Sequence, residues 1–422
     1  MFNQYLRIMF TKKFLILVAL MTLSAVLAGC RKEDNYDPAS NPLEDIVLTR
    51  AEDQCNDASK PFAFNLLEAV NKQEKGKSYF FSPLSIEFAL GLLASGTEGE
   101  TLRSICDALG VEDIEALNSY SKKMMETLPS VDKRTTLSIA NLALFNNNKS
   151  VNIEPKREYS KTIENYYKAL VKSMDFGSDK TINFINDWAS DKTKGTIKKV
   201  ISRDQIKNND YFVLANALYF NGKWFEIFEK TEKEDFTLEN GKKVRTEMMS
   251  TTKERRCAVY DSFKSLDLTY GNAAYKMTVL LPEEGYTCDR IIPDLRKAFV
   301  DKTLTPNDSG STRLAKIPKF SGSFQVGLKK IFSELGISFN GVDFKKMTPD
   351  EMKDLVINAW QNSFIKVNEK GTEAAAVTIM VGMTGAIISA PHLEFIADRP
   401  FLYMITEQST GAILFMGKYT GE

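Results

Sequence analysis

The chain has 422 residues, 43% hydrophobic and 26% charged, ordinary proportions for a globular protein of one large domain or two smaller ones. Lys plus Arg and Asp plus Glu number 55 each, so the formal charge is zero and nothing in the balance points to nucleic acid or acidic lipid as a partner. A single histidine, His392, excludes a multi-histidine metal site. It also leaves a Ser–His–Asp or Cys–His hydrolase one candidate base, just after Pro391 in a stretch of little periodicity. Two-carboxylate glycosidase chemistry survives the composition, but no carboxylate pair stands out. The paired lysines (Lys198–Lys199, Lys242–Lys243, Lys329–Lys330, Lys345–Lys346) are scattered and read as solvated surface.

Residues 1–29 read as an export address. Lys12 and Lys13 form a charged region, and Phe14 to Leu27 is an apolar run of signal-peptide length. The run falls short of the roughly 20 apolar residues a membrane-spanning helix needs. Met9, directly before the lysine pair, is a second candidate start. Leu27-Ala28-Gly29-Cys30 resembles a bacterial lipobox, in which Cys30 would be the lipidation point; a plain secretory signal or a membrane anchor is the alternative. Arg31-Lys32-Glu33-Asp34 is similar to the surface-export tag of Bacteroidota lipoproteins. The expectation is an outer-membrane lipoprotein facing the exterior, with the periplasmic face as alternative. Residues 30–52, which include Pro38, Asn41 and Pro42, read as a flexible tether. Cys55, Cys106, Cys257 and Cys288 have the spacing of neither a zinc site nor a disulfide framework. Cys106 reads as a buried thiol in a helix, and pairing among the other three stays open.

The body is expected over 53–422. Helical periodicity begins near 55, and Leu84, Phe88 and Leu92 recur on one face after a Ser82 N-cap and Pro83 at N1. Further helices are predicted at 100–109, 113–127, 155–166 and 179–194, with a strand at 135–146. Residues 211–220 are apolar almost throughout, as in a strand buried on both faces; Asn216, polar within them, requires a partner. Beyond 220 short strands dominate, with a helix predicted at 324–335. A hairpin joins 401–405 to 413–419 across Ser409-Thr410-Gly411. Helices first and strands later indicate one α+β domain.

Residues 371–390 carry no charge except Glu373. They combine small, β-branched and methionine residues with three glycines and an alanine run. A buried strand followed by a Gly-rich turn accounts for part of this.

Val367-Asn368-Glu369-Lys370-Gly371-Thr372-Glu373-Ala374-Ala375-Ala376 resembles the hinge of the serpin family, where a central strand opens into the reactive-centre loop. Other landmarks follow in the family's order. Phe81-Ser82-Pro83-Leu84-Ser85-Ile86 resembles the start of its buried second helix. Asn216 through Asn221-Gly222-Lys223-Trp224 resembles the strand leading to the breach tryptophan. Pro400-Phe401-Leu402 and Gly411-Ala412-Ile413-Leu414-Phe415-Met416-Gly417 resemble the C-terminal signature. The resemblance covers about 58–419. It implies eight to nine helices packed on three β-sheets, with a large central sheet and an exposed loop at about 369–391. It implies no catalysis, no cofactor and no metal.

The resemblance implies a suicide substrate. A protease cuts the loop, forms an acyl-enzyme, and is trapped as the loop enters the central sheet. The partner is then a serine or cysteine protease, met by a monomer. A segment that leaves solvent to become a central strand must suit both states. Thr372, Ala374, Ala376, Thr378 and Met380 would share the buried face, none of them charged. Gly371 frees the backbone at the turn, and Glu373 falls on the opposite face. The gate residues implied are Ser82, Ser85, Asn216 and Gln361, the last where the family usually has histidine, with Trp224 at the breach. Counting from Glu369 puts the cut bond at Gly385–Ala386, with Met383, Thr384 and Ile388 as alternatives. With no Lys or Arg between 371 and 390, elastase-like, subtilisin-like or papain-like targets are expected rather than trypsin-like ones. A serpin fold used as a non-inhibitory binding module is the alternative.

Overall fold

The computed structural model describes residues 40–349, 358–372 and 393–421. The body starts earlier than the sequence suggests. The described residues from Asn41 onward form one compact unit, so residues 41–52 belong to it rather than to a free tether. Asn41 donates to the buried Asp132 carboxylate at 2.8 Å, and Ile46 is buried. Helix α1 (Arg50–Gln73) opens with a capping box: Thr49 accepts from the Glu52 N–H while Glu52 accepts from the Thr49 N–H.

β1 (Tyr79–Phe81) leads into α2 (Pro83–Ala94), which Ser82 caps. The sequence suggests one apolar stripe on α2, but all twelve of its residues are buried. The helix is enclosed on every side. α3 (Gly99–Leu109) and α4 (Ile114–Thr127) follow. Cys106 on α3 is half-buried rather than buried. The inward face of α3 belongs to Thr101, Ile105 and Leu109, which turns the thiol to the flank. The four cysteines from Cys55 onward are free thiols.

Among the described residues the central sheet has six strands in the order β11-β12-β13-β4-β2-β3. β2 (Thr135–Asn146) pairs along eleven positions with the antiparallel β4 (Phe212–Lys223). β3 (Leu170–Met174) forms one edge and β11 (Phe320–Gly327) the other. α5 (Arg157–Tyr167) precedes β3, and α6 (Asp179–Lys192) packs across β2 and β4. Trp188 of α6 shares a second, smaller core with Val213, Ala215 and Trp360.

The helix predicted at 324–335 is shorter, α8 (Leu328–Glu334). Residues 324–327 are strand because Phe320 to Gly327 pair one for one with Val367 to Trp360 on β12 (Asn358–Asn368). Ladder pairing overrides local helical periodicity there.

The remaining strands are β5 (Lys230–Thr237), β6 (Lys243–Thr251), β7 (Arg255–Val259), β8 (Phe263–Thr269), β9 (Tyr275–Pro282), β10 (Asp308–Pro318), β14 (Leu393–Ile396), β15 (Phe401–Glu407) and β16 (Ile413–Tyr419). With β1 they make, among the described residues, one ten-stranded sheet. The second and third sheets implied by the resemblance are continuous here because β10 changes neighbours along its length. Its first half pairs with β7 and its second with β6. α7 (Cys288–Phe299) packs on β9 and α1. The main core gathers residues of α1 to α5 and of both sheets, and within it Phe80 of β1 stacks on Phe415 of β16 at 4.7 Å.

Candidate functional site

Two clusters meet along the seam between β4 and β12. Lower in the sheet these strands pair directly and run parallel, from Asn358 opposite Val213 to Asn362 opposite Ala217. At the upper end they are separated by β13 (Gly371–Thr372), antiparallel to both. Gly371 faces Asn368 on one side and Lys223 on the other; Thr372 faces Val367 and Gly222. The seam is closed at the bottom and already holds two residues of a further strand at the top.

The hinge is anchored by backbone and side chain together. The Trp224 and Phe228 N–H groups donate to the Lys370 and Glu369 carbonyls, each at 2.9 Å. The Trp224 indole N–H donates to the Asn368 carbonyl at 2.9 Å. The indole is 1% exposed and stacks on Tyr270 at 4.3 Å. The Tyr270 and Thr372 hydroxyls share a buried hydrogen bond of 2.7 Å. Burial drives the Tyr270 phenol well above its ordinary range, so it stays neutral. Gly371 has φ +145°, and a Cβ there would lie 2.1 Å from the Gly222 carbonyl oxygen. Only glycine fits this close approach. Glu369 accepts from the Thr231 hydroxyl at 2.7 Å and pairs with Lys319 at 3.1 Å. Burial alone would raise its carboxyl, but these bonds and the Lys319 charge hold it below the usual range.

The gate lies where the seam is closed. Gln361 accepts from the Ser82 N–H at 2.6 Å and donates back to the Ser82 carbonyl at 3.0 Å and to Ser85 Oγ at 3.1 Å. The Ser85 hydroxyl donates to Asn216, and Asn216 donates to Asn141 at 2.8 Å. Asn141, Asn216 and Gln361 stand opposite one another on β2, β4 and β12. They form a row of amides across three strands, riveted to the N-terminus of α2. The space among Ser85, Asn216, Trp360 and Gln361 amounts to about 10 Å³, roughly one water.

The structure therefore gathers Ser82, Ser85, Asn216 and Gln361 into one network, and Trp224 with Glu369, Gly371 and Thr372 into another. Glu373, Ala374, Ala375 and Ala376, the candidate bond residues Met383, Thr384, Gly385, Ala386 and Ile388, and Cys30 lie outside the described residues. Sequence reasoning missed Asn141 and Ser363. Asn141 is a polar residue in an apolar strand, the same signal that marked Asn216. Ser363 donates to the Phe80 carbonyl and gave no comparable signal. Among the described residues no cluster of three or more His, Cys, Asp or Glu is placed to hold a metal ion.

A central sheet whose β4–β12 seam is closed below and holds two residues of a further strand above defines the class of fold. Residues 57–421 match the family model described as Serpin (serine protease inhibitor). The chain is 30% identical over 383 residues to Serpin-ZX of Arabidopsis thaliana, covering 86% of this chain and 96% of that protein. Its fold is similar to the thermophilic serpin tengpin in the native state, with a TM-score of 0.76 and 26% identity over 90% of this chain and 97% of that one. It is also similar to thyroxine-binding globulin in complex with thyroxine, with a TM-score of 0.73 and 26% identity over 87% and 98% of the two chains. The chain belongs to the serpin family. Members of this family are generally inhibitors rather than catalysts, and their partners are target proteases.

Proposed function

We propose that this serpin is a suicide-substrate inhibitor of elastase-like, subtilisin-like or papain-like proteases, held on the outer surface of a bacterium through a lipidated Cys30. The observation that carries the mechanism is the two-residue strand β13, seated between β4 and β12 above a seam that is otherwise closed. Continued insertion of 373–385 would add about 43 Å of strand at roughly 3.3 Å per residue. A protease acylated at Gly385, or at Met383, Thr384, Ala386 or Ile388, would then be carried down the sheet. Thr372 is 2% exposed, so an uncharged residue is required there for entry. The absence of Lys and Arg from 371–390 supports the target class. Lipid attachment and surface exposure are supported by Leu27-Ala28-Gly29-Cys30 and the charged residues after it. The inhibitor would act as a monomer.

Incubation with an elastase-like protease is expected to give an SDS-stable covalent complex. Thr372→Arg is expected to turn inhibitor into substrate, raising the protein consumed per protease blocked at least tenfold. Cleavage that yields only free product and active protease would refute trapping. Thyroxine-binding globulin, a structural neighbour in complex with a small ligand, supports a second reading, a non-inhibitory binding module. A large gain in thermal stability after loop cleavage counts against that reading.

A further inference from the structure

Glu87 lies on α2, five residues beyond the N-cap Ser82 and two beyond the gate residue Ser85. It is 1% exposed, and its Oε1 has no hydrogen-bond partner. An uncompensated carboxylate in such a place is costly. α2 is packed by α1, α3, α4, α5, β4 and β16. The ionisable groups these elements turn toward Glu87 are Cys55 from α1, Tyr120 from α4 and Tyr167 from α5. Farther out, Glu52, Asp113 and Glu407 add only negative charge to the same cluster. Lys418 of β16, itself buried, is engaged by Asn71 at 2.9 Å and Asp289 at 3.6 Å. Among the described residues no cation acts on Glu87.

We propose that Glu87 is a proton-operated latch on the gate helix: protonated, it lets α2 stay enclosed beneath β4 and β12, and deprotonated, it loosens α2 and with it the grip of Ser82 and Ser85 on Gln361 and Asn216. Burial raises this carboxyl from its ordinary 4.5 to about 8. Between those values the native state holds a proton that the unfolded chain has lost. Stability therefore falls as pH rises through that window and levels off above about 8. The neighbours do not titrate within it. Burial pushes Cys55 up to about 12 and lifts both tyrosines.

The test is urea unfolding of the purified protein from pH 6 to 9, with hydrogen exchange at the α2 amides corrected for intrinsic rates. In the wild type the opening constant is expected to rise by up to tenfold per pH unit to pH 8 and then flatten. Glu87→Gln, which mimics the protonated acid, is expected to abolish the slope, and His392→Gln, which removes the only histidine, to retain it. An infrared band of a protonated carboxyl should be present in the wild type at pH 7, gone at pH 9.5, and missing from Glu87→Gln at both. A wild-type slope in Glu87→Gln, loss of the slope in His392→Gln, or absence of the band at pH 7 would overturn the proposal. So would failure of Glu87→Gln to fold, because the amide should replace the protonated acid. The readout is the body itself, so the result is separate from whether the chain traps proteases.

Discussion

Gln361→Leu tests the gate without changing side-chain volume much. Leucine removes the acceptor for the Ser82 N–H, which is completely buried. That donor would be left without a partner, at a cost of about 1–3 kcal/mol. The other losses are milder. The Ser82 carbonyl still accepts from the Ile86 N–H, and the Ser85 hydroxyl still donates to Asn216. A net cost of about 2 kcal/mol to the closed seam follows. The strands must part at Gln361 before any further residue enters, so the cost shortens the native lifetime by about 30-fold. The assay is the fraction of native protein remaining with time at fixed temperature, read as conversion to a urea-resistant or polymeric form on gels. Gln361→His should restore most of the lifetime, since imidazole offers one donor and one acceptor. A Gln361→Leu protein that decays within twofold of the wild-type rate would refute the assignment of the gate.

Gly371→Ala forces a Cβ onto the Gly222 carbonyl oxygen. It is expected to expel β13 and make 369–372 at least tenfold more sensitive to limited proteolysis; an unchanged digestion rate would show that Gly371 is dispensable. Glu369 supplies a pH dependence of opposite sign to that of Glu87. Its folded carboxyl lies below the ordinary value, so its contribution is present above about pH 4.5 and lost as pH falls. Hydrogen exchange at Glu369 to Gly371, corrected for intrinsic rates, should therefore accelerate as pH falls below about 4.5 in the wild type, and much less in Glu369→Gln.

Much of the fold is legible where one physical cause dominates. The apolar run at 211–220 could only be a strand covered on both faces, and Ser82-Pro83 could only start a helix. The Phe320–Gly327 strand was hidden because its residues also fit a helical period, and the β12 ladder that decides the matter lies some forty residues away. The gate was half visible. Asn216 announced itself as a polar residue in an apolar strand, but its pairing with Asn141 and Gln361 depends on register, which composition does not encode. Glu87 was invisible for a different reason. A charged residue in an amphipathic pattern is assigned to the wet face, and α2 has no wet face.

The segment 373–392 connects two points of the described body. Its start is held between β4 and β12; its end enters β14, which lies parallel on β10, with the Ala397 N–H donating to the Lys316 carbonyl. Chain reach then separates two fates. Threading 373–385 into the seam would place residue 385 about 43 Å below the hinge. The residues left to return, 386–392, extend at most about 24 Å. An intact chain inserted that far must have Leu393 within about 24 Å of residue 385. A cut near 385 removes that constraint and leaves the residues after it joined to β14. On the proposed mechanism, the length of one peptide segment thus links insertion to scission.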